Sequence, residues 1–251
     1  MKKRILVVVS VLIVYLLNTM LTIAQVNPAI PAKDNPFYRL VNKHNGVGKD
    51  YKPTQLVIPN VKFSEQGQAE KKYMQNTAAY YLKIMFNNAA EQKINLVAVS
   101  GYRSYNRQNV IYYNYIKKYG QQATDRFSAK PGYSEHQTGL AMDVSAKSVG
   151  YRLTQQFGNT KEGKWLASNA HTYGFIIRYP KDKEKITQYM YEPWHVRYIG
   201  EELATYLYIN HFALEEMEAF FEKAEDTQVT DDENTIIQSE SESLEQEVVQ
   251  E

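Results

Sequence analysis

"PGYSEHQTGLAMDVS", residues 131–145, carries just two acids, Glu135 and Asp143, and a histidine, His136, seven positions before the aspartate. Asp143 lies inside the apolar run Leu140-Ala141-Met142-Asp143-Val144, where an unpartnered carboxylate is costly. Read as a strand, this run turns Leu140, Met142 and Val144 toward a core and Ala141, Asp143 and Ser145 to the opposite face. The small Ala141 and Ser145 leave room around the carboxylate for a metal or a substrate. His136 stands before Gly139, so a turn there brings it back beside Asp143.

Outward from this strand, the pattern alternates helices with short strands. "INLVAVSGYRS" is β-rich and ends in a glycine turn, which predicts a strand over 95–100. Before it, Met74, Ala78, Tyr81, Leu82, Met85 and Phe86 recur at helical spacing and predict a helix over about 68–88. After it, a helix is expected over 105–119, with Ile111, Tyr112, Tyr115, Ile116 and Tyr119 as its buried stripe and Gly120 as its stop. "KEGKWLASNAHTYG" predicts a third helix closed by Gly174, "FIIRY" a strand ended by Pro180, and "PWHVRYI" a last strand. A helical pattern then runs over 201–223. The sum is an α+β domain, helices packed on a small, mostly antiparallel sheet.

The two ends differ from this middle. Lys2, Lys3 and Arg4 precede an apolar stretch from Ile5 to Leu17, and Thr22-Ile23-Ala24 resembles a cleavage site. Residues 1–24 therefore read as a signal peptide or as a retained membrane anchor, and either puts the rest outside the cytoplasmic membrane. Prolines mark a linker over 25–35, the domain is expected over 36–223, and the acidic, polar 224–251 reads as a disordered tail. A formal charge of +1 argues against a nucleic-acid partner. With no cysteine in the chain, thiolate nucleophiles and Cys-bound metal are excluded, so any metal must be held by His, Asp or Glu.

A second segment, "YMYEPWHVRYIG" at 189–200, supplies His195 three positions after Glu192. A water-activating zinc needs three His or carboxylate ligands and an open fourth position; His136, Asp143 and His195 make such a set. Glu192 is then the general base, close to the metal but not bound to it. A straight strand would send Glu192 and His195 to opposite faces, so a bend is expected near Pro193, which fits poorly inside a central strand. From the residues alone, a buried His136–Asp143 ion pair without metal explains the first segment equally. His44, His171 and His211 are read as structural, His171 at a helix C-terminus.

Taken together and in this order, "SGYRSYNRQ", "PGYSEHQTGLAMDVS" and "YEPWHVRYIG" resemble the VanY-type D,D-carboxypeptidases and related L,D-carboxypeptidases of peptidoglycan. These are zinc peptidases of the group that includes hedgehog-like domains. The resemblance covers roughly 35–210 and adds "LVNKHN" and "NAHTYGFIIRYP". It implies one Zn²⁺ per chain on His136, Asp143 and His195, with Glu192 as the catalytic base. Arg103 of "GYRS" would bind and polarise the substrate, a catalytic as well as a binding role, and Gln108 and Ser134 would help hold it. The implied activity is release of the terminal D-alanine from a peptidoglycan stem peptide, by a monomer that is secreted or anchored to the outer face of a bacterial membrane. D,D cleavage of a pentapeptide stem is the first expectation and L,D cleavage of a tetrapeptide stem the alternative. A non-catalytic wall-binding module would be free to lose Glu192, and an endopeptidase or amidase would have no use for a carboxylate clamp such as Arg103 with Ser134.

Overall fold

The computed structural model describes residues 35–217 and residue 221. The expectations for 1–24 and 224–251, and for the linker up to 34, lie outside the described residues. Among the described residues, no helix is long and apolar enough to cross a membrane.

Two antiparallel sheets form. The smaller pairs β1 (Leu56–Val57) with β2 (Met74–Gln75). The larger comprises β3 (Val97–Ser100), β4 (Ala141–Ser145), β5 (Phe175–Tyr179) and β6 (Glu192–Tyr198), in the order β3-β4-β6-β5. All five residues of the central β4 are buried, which accounts for its unbroken apolar character on either side of Asp143. The principal helices are α1 (Asn76–Glu91), α2 (Tyr105–Tyr119), α3 (Lys161–Asn169) and α4 (Glu201–Asn210). Ala78, Leu82 and Met85 of α1 share a core with Met142 and Val144 of β4, Val196 of β6 and Leu166 of α3. Ile176 of β5 and Ile199 join Leu203 and Leu207 of α4 in a second cluster. At roughly 1.5–3 kcal/mol for each large apolar side chain, these clusters hold the sheet between its helices, in the expected α+β arrangement.

Three elements depart from expectation. The first helix begins at Asn76, not near residue 68, because Met74 and Gln75 are drawn into β2. The Gln75 N–H also donates to the Gly139 carbonyl at 2.8 Å, tying this strand to the turn that carries His136. The bounds of α2 are as expected, with Ser104 Oγ capping the Arg107 N–H and Gly120 leaving the helix at φ +79°. Its buried face, however, is Gln108 and Tyr112; Tyr115 and Tyr119 are exposed at the edge of Phe127. The helix packs on the 124–129 segment, with Tyr112 Oη donating to Asp125 and Gln108 Nε2 to the Ala129 carbonyl. Finally, α4 stops at Asn210 where His211 turns to φ +55°, and a further helical turn occupies 214–217.

Candidate active site

The register of the larger sheet assembles the site. Ser100 of β3 pairs with Asp143 of β4, and Asp143 pairs with His195 of β6, so the three form one row across neighbouring strands. Residues directly opposite in an antiparallel pair place their side chains on the same face. Glu192 reaches this face through an irregularity in β6. Ile177 pairs with Val196 and Tyr179 with Glu192, so two steps along β5 span four along β6. The excess chain contains Pro193, and it brings a Glu192 carboxylate oxygen to 3.6 Å from His195 Nδ1. The bend required by the Glu192–His195 spacing is this bulge.

His136 enters from a short 3-10 turn, Glu135–Thr138, ended by Gly139 at φ +71°. A Cβ on Gly139 would come within 2.9 Å of Leu56, so both space and backbone favour glycine there. His136 Nδ1 contacts the Gly101 carbonyl at 2.8 Å, which fixes the ring and points Nε2 toward Asp143. The ligating atoms of His136, Asp143 and His195 all lie within 4.8 Å of one another, and all three residues are buried.

Whether these residues suit a metal is decided by Asp143. Its Oδ1 is buried and accepts no hydrogen bond. It lies 3.5 Å from His136 Nε2 and 3.6 Å from His195 Nδ1, gaps too long for hydrogen bonds. A buried anionic oxygen so placed calls for a cation. Burial opposes charge on His195, yet contacts with Glu135 and Glu192 and the nearby Asp143 push its pKa up to about 9. Positive charge is therefore favoured at this point, as a proton or as a metal ion. His136 behaves oppositely: burial, and then Arg103, lower its pKa and favour the neutral imidazole that metals bind. Burial raises the pKa of Glu192 against the influence of His195, the direction that suits a proton acceptor working near neutrality. The donor set fits a single divalent ion, and two imidazoles with one carboxylate match zinc.

Around this group runs a cleft of about 550 Å³ lined by Arg103, Ser134, Tyr115, Tyr189, Trp194 and Glu192 among others. Arg103 is held in place by Nη1 donating to Gln108 Oε1 at 2.8 Å and by Nη2 donating to Ser100 Oγ at 3.3 Å. Gln108 itself is fully buried, and its amide nitrogen donates to the Ala129 carbonyl. It stands behind Arg103, not on the cleft wall, and orients that side chain. Ser134 lies on the wall, 2% exposed.

A set of functional candidates beyond the sequence reading surrounds Glu135. Its carboxylate is buried between the guanidiniums of Arg178 and Arg197, each donating at 2.7 Å, and its other oxygen lies 3.3 Å from His195 Nε2. Burial opposes its ionisation, but Arg178 and Arg197 prevail and hold it well below the usual carboxylate range. The sequence did carry a signal: Arg178 and Arg197 interrupt otherwise apolar strands, and a buried arginine requires an acid.

The fold and this row of side chains define a metal-site α+β protein with one face open to a ligand. The chain belongs to the family described as VanY, D-alanyl-D-alanine carboxypeptidase, whose model matches residues 71–201. It is 50% identical over 184 residues to YodJ of Bacillus subtilis (strain 168), an alignment covering 73% of this chain and 66% of YodJ. Among solved structures it is similar to the LdcB LD-carboxypeptidase at 50% identity and TM-score 0.68, covering 70% of this chain and 83% of that one. It is also similar to the vancomycin-resistance D,D-pentapeptidase VanY solved with Zn(II), at 31% identity and TM-score 0.57, covering 71% of this chain and 96% of the other. The chain spans just under two thirds of YodJ and 43% of the Enterococcus faecium D-alanyl-D-alanine carboxypeptidase that it also matches.

Proposed function

We propose that this protein is a zinc-dependent carboxypeptidase that releases the terminal D-alanine from peptidoglycan stem peptides, acting outside the cytoplasmic membrane as a secreted or membrane-anchored enzyme. The observation that carries this reading is the buried Asp143 oxygen that accepts no hydrogen bond, set between two imidazoles with Glu192 alongside. His136, Asp143 and His195 would hold one Zn²⁺. When bound, zinc supplies Lewis acidity toward a carbonyl and acidifies a coordinated water.

The remaining chemistry belongs to the chain. Glu192 accepts a proton from the attacking water and returns it to the departing amine. Arg103, already oriented by Gln108 and Ser100, presents its planar fork to the substrate's free carboxylate, and Ser134 adds a donor on the same wall. A clamp on a free carboxylate favours cleavage at the chain end. The buried walls around Glu192 limit bulk water and strengthen these charge interactions.

A second reading concerns which stem is cut. Identity of 50% to an LD-carboxypeptidase, against 31% to a D,D-pentapeptidase, favours the tetrapeptide stem over the pentapeptide stem of the first expectation. Purified protein offered both stems, with and without chelator, tests both readings through free D-alanine. Chelator-sensitive release is expected, faster from the tetrapeptide; faster release from the pentapeptide would restore D,D specificity. Release from neither stem would refute the proposed activity.

A further inference from the structure

Glu135 sits one residue before a proposed ligand and touches another, yet the reaction outlined above makes no use of it. Its Oε1 accepts from Arg178 Nε and from Arg197 Nη1, both at 2.7 Å. Each arginine is anchored elsewhere. Arg178 donates to both carboxylate oxygens of Glu215, at 2.9 and 2.7 Å, and to the Val41 carbonyl at 3.3 Å. Arg197 donates to the Phe37, Arg39 and Tyr198 carbonyls at 3.1, 3.0 and 3.1 Å. The Glu135 carboxylate is thereby fixed as an anion with one oxygen saturated. Its other oxygen, Oε2, lies 3.3 Å from His195 Nε2 and can only accept there.

An acceptor at Nε2 demands a hydrogen on Nε2, which leaves the lone pair of a neutral His195 on Nδ1, the atom facing Asp143 at 3.6 Å. His136 is set the other way. Its Nδ1 donates to the Gly101 carbonyl, and Nε2 faces Asp143. We infer that Glu135 is a positioning residue that fixes the tautomer and angle of His195, so that the two histidines present opposite ring nitrogens to one ion. Buried ion-pair clusters contribute little to stability on balance, whereas carboxylate partners of metal-bound histidines tune affinity. The inference rests on the metal reading proposed above. It adds that the anchoring runs outside the family match, through Phe37, Arg39, Val41 and Glu215.

In Glu135→Gln the arginines still require an acceptor, so the amide –NH₂ turns toward His195 and drives its proton to Nδ1. Zn²⁺ affinity of the full-length chain, measured by chelator competition alongside circular dichroism and a thermal melt of the metal-free variant, should fall about 10–100-fold in folded protein. A folded variant with wild-type affinity would overturn the inference. Should the variant fail to fold, wild-type protein with ¹⁵N-labelled histidine and bound Zn²⁺ decides by NMR. One ligand must be metallated at Nδ1 with a protonated Nε2, and the other at Nε2 with a protonated Nδ1; two ligands metallated at Nε2 would overturn it. Wild-type protein that binds no Zn²⁺ would bring down the metal reading itself, a distinct result.

Discussion

Arg103 shows how much of a side chain's role is decided by what stands behind it. Gln108 and Ser100 use two of its N–H groups, and others remain for a carboxylate in the cleft. The geometry, more than the charge, is then what the site requires. Arg103→Lys is expected to lower kcat/KM for a stem peptide by about ten- to a hundredfold, the worth of one or two charge-assisted hydrogen bonds. Zinc content should be unchanged, and steady-state kinetics with metal analysis check both. At this scale the sequence was informative wherever a residue type was chemically out of place. Asp143 in an apolar run and Glu192 three before His195 were conspicuous. Glu135, a glutamate in a turn, was not, because turns carry no periodicity, and its partners Arg178 and Arg197 lie more than forty residues away.

Among the elements, the loop after β3 is a tight joint. Gly101 offers its carbonyl to His136 Nδ1, and an added Cβ would meet the Tyr73 carbonyl at 2.5 Å and the Met142 methyl at 2.9 Å. Backbone cannot yield as a side-chain tip can. Gly101→Ala is predicted to cost roughly 1–3 kcal/mol in a urea melt and to weaken Zn²⁺ binding by displacing the hydrogen bond that orients His136. Unchanged affinity in this variant would argue that His136 needs no such support. The four strands of the larger sheet and the bounds of α2 were legible because short β-rich runs, the helical spacing of apolar residues and Gly120 mark them locally. The start of α1 was not: Met74 has helical spacing with Ala78, but β2 wins through pairing with β1 and the bond to Gly139, a tertiary gain that local spacing does not contain. Likewise Tyr115 and Tyr119 fall at buried spacing, yet α2 packs on the 124–129 segment, leaving them at its edge.

Across the whole molecule, three distant stretches of chain converge on one small volume, where the buried Asp143 Oδ1 accepts no hydrogen bond. A bound ion that favours the folded state should therefore stabilise all of it. Excess Zn²⁺ at about a hundred times Kd is expected to add about 2.7 kcal/mol, visible as a rise in Tm that chelator reverses; no change in Tm would count against a site formed on folding. In the proposed site His136, Asp143 and His195 hold one ion while Glu192 stays free to move a proton. Glu192→Ala tests it most directly, by zinc stoichiometry and D-alanine release measured on the same preparation. One Zn²⁺ per chain and no measurable release are expected; wild-type release, or loss of the metal along with the activity, would mean that Glu192 is not a base standing free of the ion.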